Sequence, residues 1–261
     1  MNKTARQWCD STFNPIVGCT NNCPYCYGKA LGQRLSCPLC RTYEPHFHPE
    51  RLADLSRGKP GRVFMGSMAE MFDPKVDPEW WYRILLAHKG SDCRHKLMVL
   101  TKRPDQFKTV NSQILPAFRW VFETIWFGVT VTCQDDDWRI KHLLEVPAAG
   151  HFICYEPALG ELDLSDVWGL YEYDDGEWAT KVGSRWEQSP DWVILGGLSG
   201  SWLPPDWNNR ISFNQEQTEW ANRVIGQAKA ADVPVFVKTK PVTLPEVEVI
   251  QEWPYGLRKE E

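Results

Sequence analysis

The chain has 261 residues, 43% of them hydrophobic, which is enough to fill the core of one α/β domain of barrel size. Its formal net charge of -5 excludes a global basic field, so indiscriminate binding to nucleic acid phosphates is not expected, although a local basic groove is still compatible with it. Nine cysteines without a charged-then-apolar signal segment predict a cytoplasmic protein, and no apolar stretch approaches the ~20 residues that span a bilayer.

Short apolar runs recur along the chain, with helical or loop segments between them. Near-continuous runs such as Val193-Ile194-Leu195 are typical of buried parallel strands. The alternation of such runs with helices is the pattern of β/α units, so it predicts an α/β fold with a parallel sheet. The predicted strands cover residues 14–18, 62–67, 96–101, 126–132, 151–155, 192–196 and 234–238.

The clearest helix prediction lies near the C-terminal end of the chain. Trp220, Val224 and Ala228 stand at helical spacing, and Pro234 follows as a stop signal. The predicted helices cover residues 79–89, 137–144 and 215–230.

Two stretches interrupt the regular pattern. Residues 35–60 contain a second cysteine pair and are rich in proline, histidine and arginine. Residues 160–190 are acidic, and a turn signal at 173–176 predicts a small hairpin there. We interpret both as insertions in a single domain that covers residues 1–261.

Three cysteines near the N-terminus have the spacing C-x3-C-x2-C, in the run GCTNNCPYCY over residues 18–27. Three thiolates on one tight loop, Cys19, Cys23 and Cys26, can hold three irons of a [4Fe-4S] cluster and leave the fourth iron open. The alternative is a structural zinc ion with a fourth ligand from elsewhere in the chain, although zinc sites usually use paired C-x2-C knuckles.

The cysteine run, with the aromatic Tyr25 beside its last cysteine, resembles the signature of the radical S-adenosylmethionine (SAM) superfamily. The resemblance implies a complete or partial TIM-like (β/α) barrel with parallel strands. It also implies SAM bound to the open iron, reductive cleavage of SAM to a 5′-deoxyadenosyl radical, and an electron donor such as flavodoxin or ferredoxin.

A second resemblance spans nearly the whole chain, which is similar to the phage Gp37/Gp68-like family (DUF5131), whose members have radical SAM-like cysteines. Two departures stand out: the short gap before the second cysteine, and Leu198 where the family commonly has glutamate in a GGESG run. The motifs that carry the resemblance are WCD (8–10), NP (14–15), FMGSM (64–68), LTKRP (100–104), FGVTV (127–131), YEP (155–157), WVILGG (192–197) and PVFVK (234–238).

Polar residues follow the predicted strands. Loops after parallel strands converge on one face, so these side chains are expected to share a cavity. The candidates are Ser67, Glu70, Lys102, Arg103, Thr132, Gln134, Glu156, Ser199 and Lys238.

The radical SAM resemblance implies roles for several of these positions. Gly66, Ser67 and Met68 would lie against the SAM amino group, or form an ordinary β/α turn. Lys102 with Arg103 would bind the SAM carboxylate or a substrate phosphate, or form a solvated basic turn.

The remaining candidates have similar pairs of interpretations. Thr130, Thr132 and Gln134 would contact the ribose or methionine part of SAM, with core packing as the alternative. Glu156 would bind a hydroxyl group or pair with Lys102 or Arg103. Lys238 would face the cavity or pair with an acid.

The second cysteine pair belongs to a C-x2-C-x5-H-x-H pattern formed by Cys37, Cys40, His46 and His48. These are ligand types of a tetrahedral zinc site, with Cys9 as a further candidate ligand. An auxiliary iron-sulfur cluster, a redox-active pair and idle thiols are the alternatives.

These patterns predict a radical SAM enzyme that abstracts hydrogen from an unknown substrate, with a nucleotide or nucleic acid base as the working hypothesis. Two alternatives stay open at this point. One is a zinc-stabilised binding protein without catalysis, and the other is a cluster-binding redox sensor on a degenerate barrel.

Overall fold

The computed structural model describes residues 1–4, 6–173, 176–180, 189–197, 215–239 and 247–258. The side chains of residues 111 and 180 lie outside this description. Leu198 and Ser199 also lie outside it. No described helix combines the length and apolar composition needed to cross a membrane.

The described strands are short, from two to six residues. They are β1 (Asn2–Lys3), β2 (Ser11–Phe13), β3 (Ile16–Val17), β4 (His46–Phe47), β5 (Arg62–Met65), β6 (Lys96–Thr101), β7 (Trp126–Val131), β8 (Gly150–Tyr155), β9 (Leu170–Glu172), β10 (Trp178–Thr180), β11 (Trp192–Leu195) and β12 (Val235–Val237).

The helices alternate with the strands of the main sheet. They are α1 (Tyr27–Gly32), α2 (Pro38–Thr42), α3 (Pro78–Gly90), α4 (Phe107–Asn111), α5 (Leu115–Phe122), α6 (Trp138–Leu144), α7 (Ser165–Trp168) and α8 (Gln215–Ala230). The start of α3 is typical: the Asp77 side chain accepts a hydrogen bond from the N–H of Glu79 at 2.9 Å, and Pro78 takes the first helical position.

Eight strands form one sheet in the order β1-β2-β5-β6-β7-β8-β11-β12. Every neighbouring pair is parallel except β1 with β2. Two small antiparallel pairs, β3 with β4 and β9 with β10, stand apart from it. The chain is therefore a mixed α/β fold on a largely parallel sheet.

Alternate residues of the parallel strands β5, β6, β7, β8, β11 and β12 belong to two different cores, as the period of a strand requires. Leu97 and Val99 pack into the larger core with buried residues of α3, α5, α6 and α8. Met98, between them, belongs to a second core together with Phe64, Trp126, Phe152 and Trp192. Within the described chain, no residue of an α-helix belongs to this second core.

Trp8 shows that the sheet is strongly curved. Its ring centroid lies 4.8 Å from that of Phe64 on β5 and 6.4 Å from that of Trp192 on β11. Those strands are four steps apart in the sheet, which in a flat sheet would separate them by about 19 Å. The second core is therefore the inner face of a sheet wrapped around Trp8.

The sheet does not close into a barrel over the residues that the structure describes. The outer edge of β12 is occupied, because Val237 donates to the carbonyl of Ile250 at 2.7 Å and Glu252 donates to that of Val235 at 2.9 Å. A side-chain seam replaces strand pairing: the amide of Gln7 donates to Thr239 Oγ1 and accepts from the Thr239 N–H, both at 2.8 Å.

The predicted strands and helices agree with the structure in six strands and all three helices, with ends shifted by one or two residues. The strand predicted over residues 14–18 is confirmed in part: Ile16 and Val17 form β3, but β3 is not a strand of the parallel sheet. The first parallel strand is β2, and Ile16 and Val17 pair with β4 instead. Pro15 lacks an N–H for the ladder, so the chain leaves the sheet after Phe13.

We expect Gly128→Ala to lower the free energy of unfolding by about 1–3 kcal/mol, the cost of overpacking a dense core. Gly128 stands opposite Phe152, and a Cβ there would lie 2.3 Å from the Phe152 ring. That ring is fully buried against Trp8 and Trp192 and has no room to move. Urea unfolding followed by fluorescence measures the change.

The control is Gly90→Ala at the last residue of α3, where an added Cβ meets no heavy atom within 4 Å. Alanine should leave stability unchanged or raise it by up to about 1 kcal/mol. Equal unfolding midpoints for the two variants would contradict the packing of the inner face.

Candidate functional site

The loops that follow the parallel strands surround a cavity of about 700 Å³. Five strand ends contribute polar side chains to its wall, and the cysteine loop before α1 lies across from them. The strand-end residues are Asn14 after β2, Ser67 and Glu70 after β5, Lys102 after β6, Glu156 after β8 and Lys238 after β12.

Cys19, Cys23 and Cys26 all line this cavity. Two of the sulfur atoms accept backbone hydrogen bonds, Cys19 from the N–H of Asn21 at 3.3 Å and Cys26 from the N–H of Lys29 at 3.4 Å. Burial raises the pKa of the Cys19 thiol to about 12, so without a metal it is protonated at neutral pH.

A buried carboxylate anchors the cysteine loop. Asp73 is fully buried and accepts hydrogen bonds from the Thr20 backbone N–H at 2.8 Å and the Thr20 hydroxyl at 2.7 Å. Arg103 Nη1 lies 3.8 Å from the same carboxylate, and Arg103 Nε donates to Asn21. Arg103 therefore supports the loop between Cys19 and Cys23.

Glu70 joins the same loop to the end of β6. It accepts from the N–H of Lys102 at 2.9 Å, the N–H of Phe72 at 3.2 Å and the Asn21 side chain at 3.4 Å, and also from the Thr101 hydroxyl. Burial raises the pKa of Glu70 despite these donors, which act in the opposite direction.

The turn after β5 is held from both sides. Asn14 Oδ1 accepts from the Ser67 hydroxyl at 3.1 Å and from the Met68 N–H at 3.0 Å. The Tyr27 hydroxyl donates to the carbonyl of Ser67. Gly66 has φ +78°, and a Cβ there would lie 2.5 Å from the Met71 side chain, so glycine is required at this position.

Lys238 and Glu156 form an ion pair on the cavity wall. Burial alone lowers the pKa of Lys238, but the attraction of Glu156 outweighs it and the pKa is raised. Glu156 thus pairs with Lys238, and neither Lys102 nor Arg103 is its partner. Cys154 lies behind the pair, 3.6 Å from Glu156, and burial raises its pKa to about 12.

The structure brings most of the predicted residues together at the cavity. Arg103, Thr132 and Gln134 are not in its wall. The Thr132 hydroxyl donates to Asp136 at 2.7 Å and stabilises a local turn, whereas Gln134 accepts from the N–H of Asp163 at 2.7 Å and joins this turn to the segment before α7. The predicted residues in the wall are Gly66, Ser67, Met68, Glu70, Lys102, Thr130, Glu156 and Lys238.

Sequence reasoning missed the roles of Asn14, Asp73, Tyr43 and Arg6. Asn14 stands before a proline at a strand end, which was a usable signal for a residue that organises a turn. Asp73 has a comparable signal, since it stands just before Pro74. Tyr43 has its hydroxyl 3.7 Å from Cys26 Sγ, and the Arg6 guanidinium lies over the Tyr27 ring. No local sequence signal exists for either residue, because these contacts form only on folding.

The second Cys/His group is a separate site that can hold a metal ion such as zinc. The ligand atoms of its four residues all lie within 4.8 Å of one another. Cys40 Sγ lies 3.3 Å from His46 Nε2 and 3.3 Å from His48 Nε2. Cys37 Sγ lies 3.8 Å from His46 Nε2. Cys9 is not part of this group and is buried beside Trp8 in the inner core.

Both histidines of this group are oriented by a second hydrogen bond. His46 Nδ1 lies 2.7 Å from the carbonyl of Glu44, and His48 Nδ1 lies 2.8 Å from the Glu50 carboxylate. Such bonds fix the tautomer that presents Nε2 to a metal. The two Nε2 atoms stand 3.0 Å apart.

Comparison with known proteins gives one match. A family described as "Protein of unknown function (DUF5131)" matches residues 3–242. No curated protein and no solved structure matches the chain.

We expect Asp73→Ala to lower the free energy of unfolding by about 2–3 kcal/mol, because a fully buried carboxylate loses its hydrogen bonds from Thr20 and from the Lys75 N–H, and hydrogen bonds to charged groups are worth about 1.5–3 kcal/mol. The control is Asp135→Ala, since Asp135 is exposed and its removal should change stability by no more than about 0.5 kcal/mol. Chemical denaturation of both metal-free variants measures the difference. A loss for Asp73→Ala no larger than for the control would contradict the anchoring role.

Proposed function

The chain belongs to the DUF5131 family, whose function is unknown, and from its site we propose that it is a radical SAM enzyme with an iron-sulfur cluster at Cys19, Cys23 and Cys26. The observation that carries the proposal is that these three thiols share one cavity with the ends of the parallel strands. In this proposal the open, curved sheet is an incomplete radical SAM barrel.

The residues around the thiols fit a cluster. The N–H groups of Asn21 and Lys29 donate to two of the sulfurs, and hydrogen bonds to sulfur help to tune the potentials of such clusters. The thiols must lose their protons when they bind iron, and coordination supplies the free energy for this even at the buried Cys19. A bound [4Fe-4S] cluster would supply the electron for reductive cleavage of SAM.

The cavity fits a ligand of nucleoside size. Its volume of about 700 Å³ lies within the usual range for small-molecule sites, about 300–1,000 Å³. The carbonyl oxygens of Ser67 and Met68 accept hydrogen bonds from Tyr27 and Gly18 and keep a second lone pair each. They support the assignment of this turn to the SAM amino group, which can only donate.

Charge in the cavity favours an anionic ligand. Lys102 and Arg6 both line it, and neither forms an ion pair with any residue that the structure describes. The carboxylates of the wall are already committed, Glu156 to Lys238 and Glu70 to its hydrogen-bond donors. Lys102 is therefore assigned to the SAM carboxylate.

Arg6 is assigned to the substrate. Its guanidinium carbon lies 4.9 Å from the ring centroid of Tyr27 and 5.6 Å from that of Phe64, which holds the charge at the cavity wall. A nucleotide or nucleic acid base as substrate agrees with a cation beside aromatic rings. The proposal also includes an electron donor such as flavodoxin or ferredoxin and a cytoplasmic location.

The test is anaerobic reconstitution with iron and sulfide, reduction with dithionite, and detection of 5′-deoxyadenosine formed from SAM. We expect the product from the wild type and none from Cys23→Ala, which lacks one cluster ligand. Cys93→Ala, at a cysteine outside both metal groups, is the matched control and should behave as the wild type. A colourless, air-stable wild type without an iron absorption band would contradict the proposal and favour a zinc-stabilised binding protein.

The assignment of Arg6 predicts weaker binding of phosphate-bearing ligands by Arg6→Gln. We expect about tenfold weaker binding of a single-stranded DNA hexamer, measured by quenching of tryptophan fluorescence, because a charge-assisted hydrogen bond is lost. The salt dependence of the binding constant should also become weaker, by the amount that corresponds to about one phosphate contact.

Lys108→Gln is the control, because Lys108 pairs with Glu145 on the surface and lies outside the cavity. The same binding measurement is made with a single-stranded RNA hexamer. Equal affinities of both variants and the wild type for both hexamers would contradict an anionic substrate at Arg6.

A further inference from the structure

The spacing of the ligand atoms in the second Cys/His group fits one tetrahedral ion. Bonds of about 2.3 Å to sulfur and about 2.0 Å to nitrogen place the ligand atoms of a tetrahedral zinc about 3.3–3.8 Å apart. Four of the six separations run from 3.0 Å between His46 and His48 to 3.8 Å between Cys37 and His46, and all six lie within 4.8 Å. A four-iron cluster binds each ligand to a different iron, which requires wider spacing.

The elements that carry these ligands are too short to be stable alone. Helix α2 has five residues and strand β4 has two. Isolated helices and two-stranded pairs of this length are marginal in water. Even so, Cys40 is completely buried between them. A metal bound by all four ligands provides the free energy that folds such a segment.

Tyr43 connects this segment to the cysteine loop. It ends α2 in a left-handed conformation, φ 60°, with its N–H bonded to the carbonyl of Cys40 at 3.3 Å. Its own carbonyl accepts from the N–H of Cys19 at 3.1 Å, and its hydroxyl lies 3.7 Å from Cys26 Sγ. Tyr43, which stands between Cys40 and His46 in the chain, therefore contacts two of the three cysteines.

The two segments also touch through their backbones. A Cβ at Gly18 would lie 2.4 Å from the backbone of Glu44, and a Cβ at Gly32 would lie 2.7 Å from the carbonyl of Cys40. Beside Cys19, Val17 pairs with His46 in the β3–β4 ladder. Contacts between backbones have few ways to adjust, so a displacement of the Cys/His segment displaces the cysteine loop.

We propose that Cys37, Cys40, His46 and His48 hold a structural zinc ion, and that this zinc positions Cys19 and Cys26 through Tyr43. The inference concerns where the thiols stand: its iron readout rests on the proposed cluster, whereas its alkylation readout depends on neither the cluster nor SAM cleavage. Tyr43 is a positioning residue in this arrangement.

The first experiment measures zinc and iron in the purified full-length protein after anaerobic reconstitution, by elemental mass spectrometry. We expect one zinc per chain in the wild type. Cys37→Ser should contain no zinc and at least fivefold less iron than the wild type. Cys37→His, which restores a zinc ligand, should recover both metals, and Cys93→Ser should keep both.

A variant of the connection itself separates positioning from zinc binding. Tyr43→Ala should contain as much zinc as the wild type and at most half as much iron, because the ring between the two sites is gone. Normal iron content in a zinc-free Cys37→Ser protein would overturn the proposal, as would a wild type that contains no zinc.

A second measurement needs no substitution. Wild-type protein without its cluster is treated with a zinc chelator and alkylated, and the modified cysteines are mapped by mass spectrometry. Removal of zinc should speed alkylation of Cys19 and Cys26 at least tenfold and leave the buried Cys154 unchanged. Unchanged rates at Cys19 and Cys26 would contradict the proposal. Because both readouts are metal content and thiol alkylation, a failure to cleave SAM affects only the proposed function.

Discussion

The packing of Trp8 against the inner face of the sheet is the interaction on which the rest of the structure depends. Its ring touches aromatic side chains of β5 and β11, which only a strongly curved sheet can bring together. Curvature turns the ends of the parallel strands toward one another, so their loops enclose a cavity. The Gln7–Thr239 hydrogen bonds connect the segment beside Trp8 to the end of β12 without strand pairing, and the cysteine loop lines the cavity.

The charged groups of the site form two sets: buried carboxylates that hold the loops in place, and cations that face the cavity. The buried carboxylates of Asp73 and Glu70 accept hydrogen bonds from the cysteine loop and from the end of β6. Burying a carboxylate is costly unless donors surround it, and here the donors are the backbone and side chains that must be held still. Among the described residues, the cations of the wall that form no ion pair are Lys3, Arg6 and Lys102, so the free charge of the cavity is positive.

The strands and helices were largely predictable because each depends on a short local pattern. Apolar runs of four to seven residues and the helical spacing in residues 215–230 are visible without any partner. The exception is the strand predicted over residues 14–18: Ile16 and Val17 form β3 but pair with β4, because Pro15 takes the chain out of the parallel sheet after Phe13. Whether the sheet closes into a barrel was not predictable from the sequence, because it depends on the edge of β12, which residues 250–252 occupy.

By itself the sequence determined the family, the Cys/His group that could hold a metal, the cysteine triplet and the approximate set of strand ends that meet at the cavity. These depend on spacing and residue type, which are local properties. Only the tertiary structure decided which neighbour faces the cavity: Lys102 lines it while Arg103, one residue on, turns to Asp73. It also decided that Tyr43, at the end of α2, contacts Cys19 and Cys26 of the cysteine loop. Such choices depend on partners distant in sequence, and packing alone brings those partners into contact.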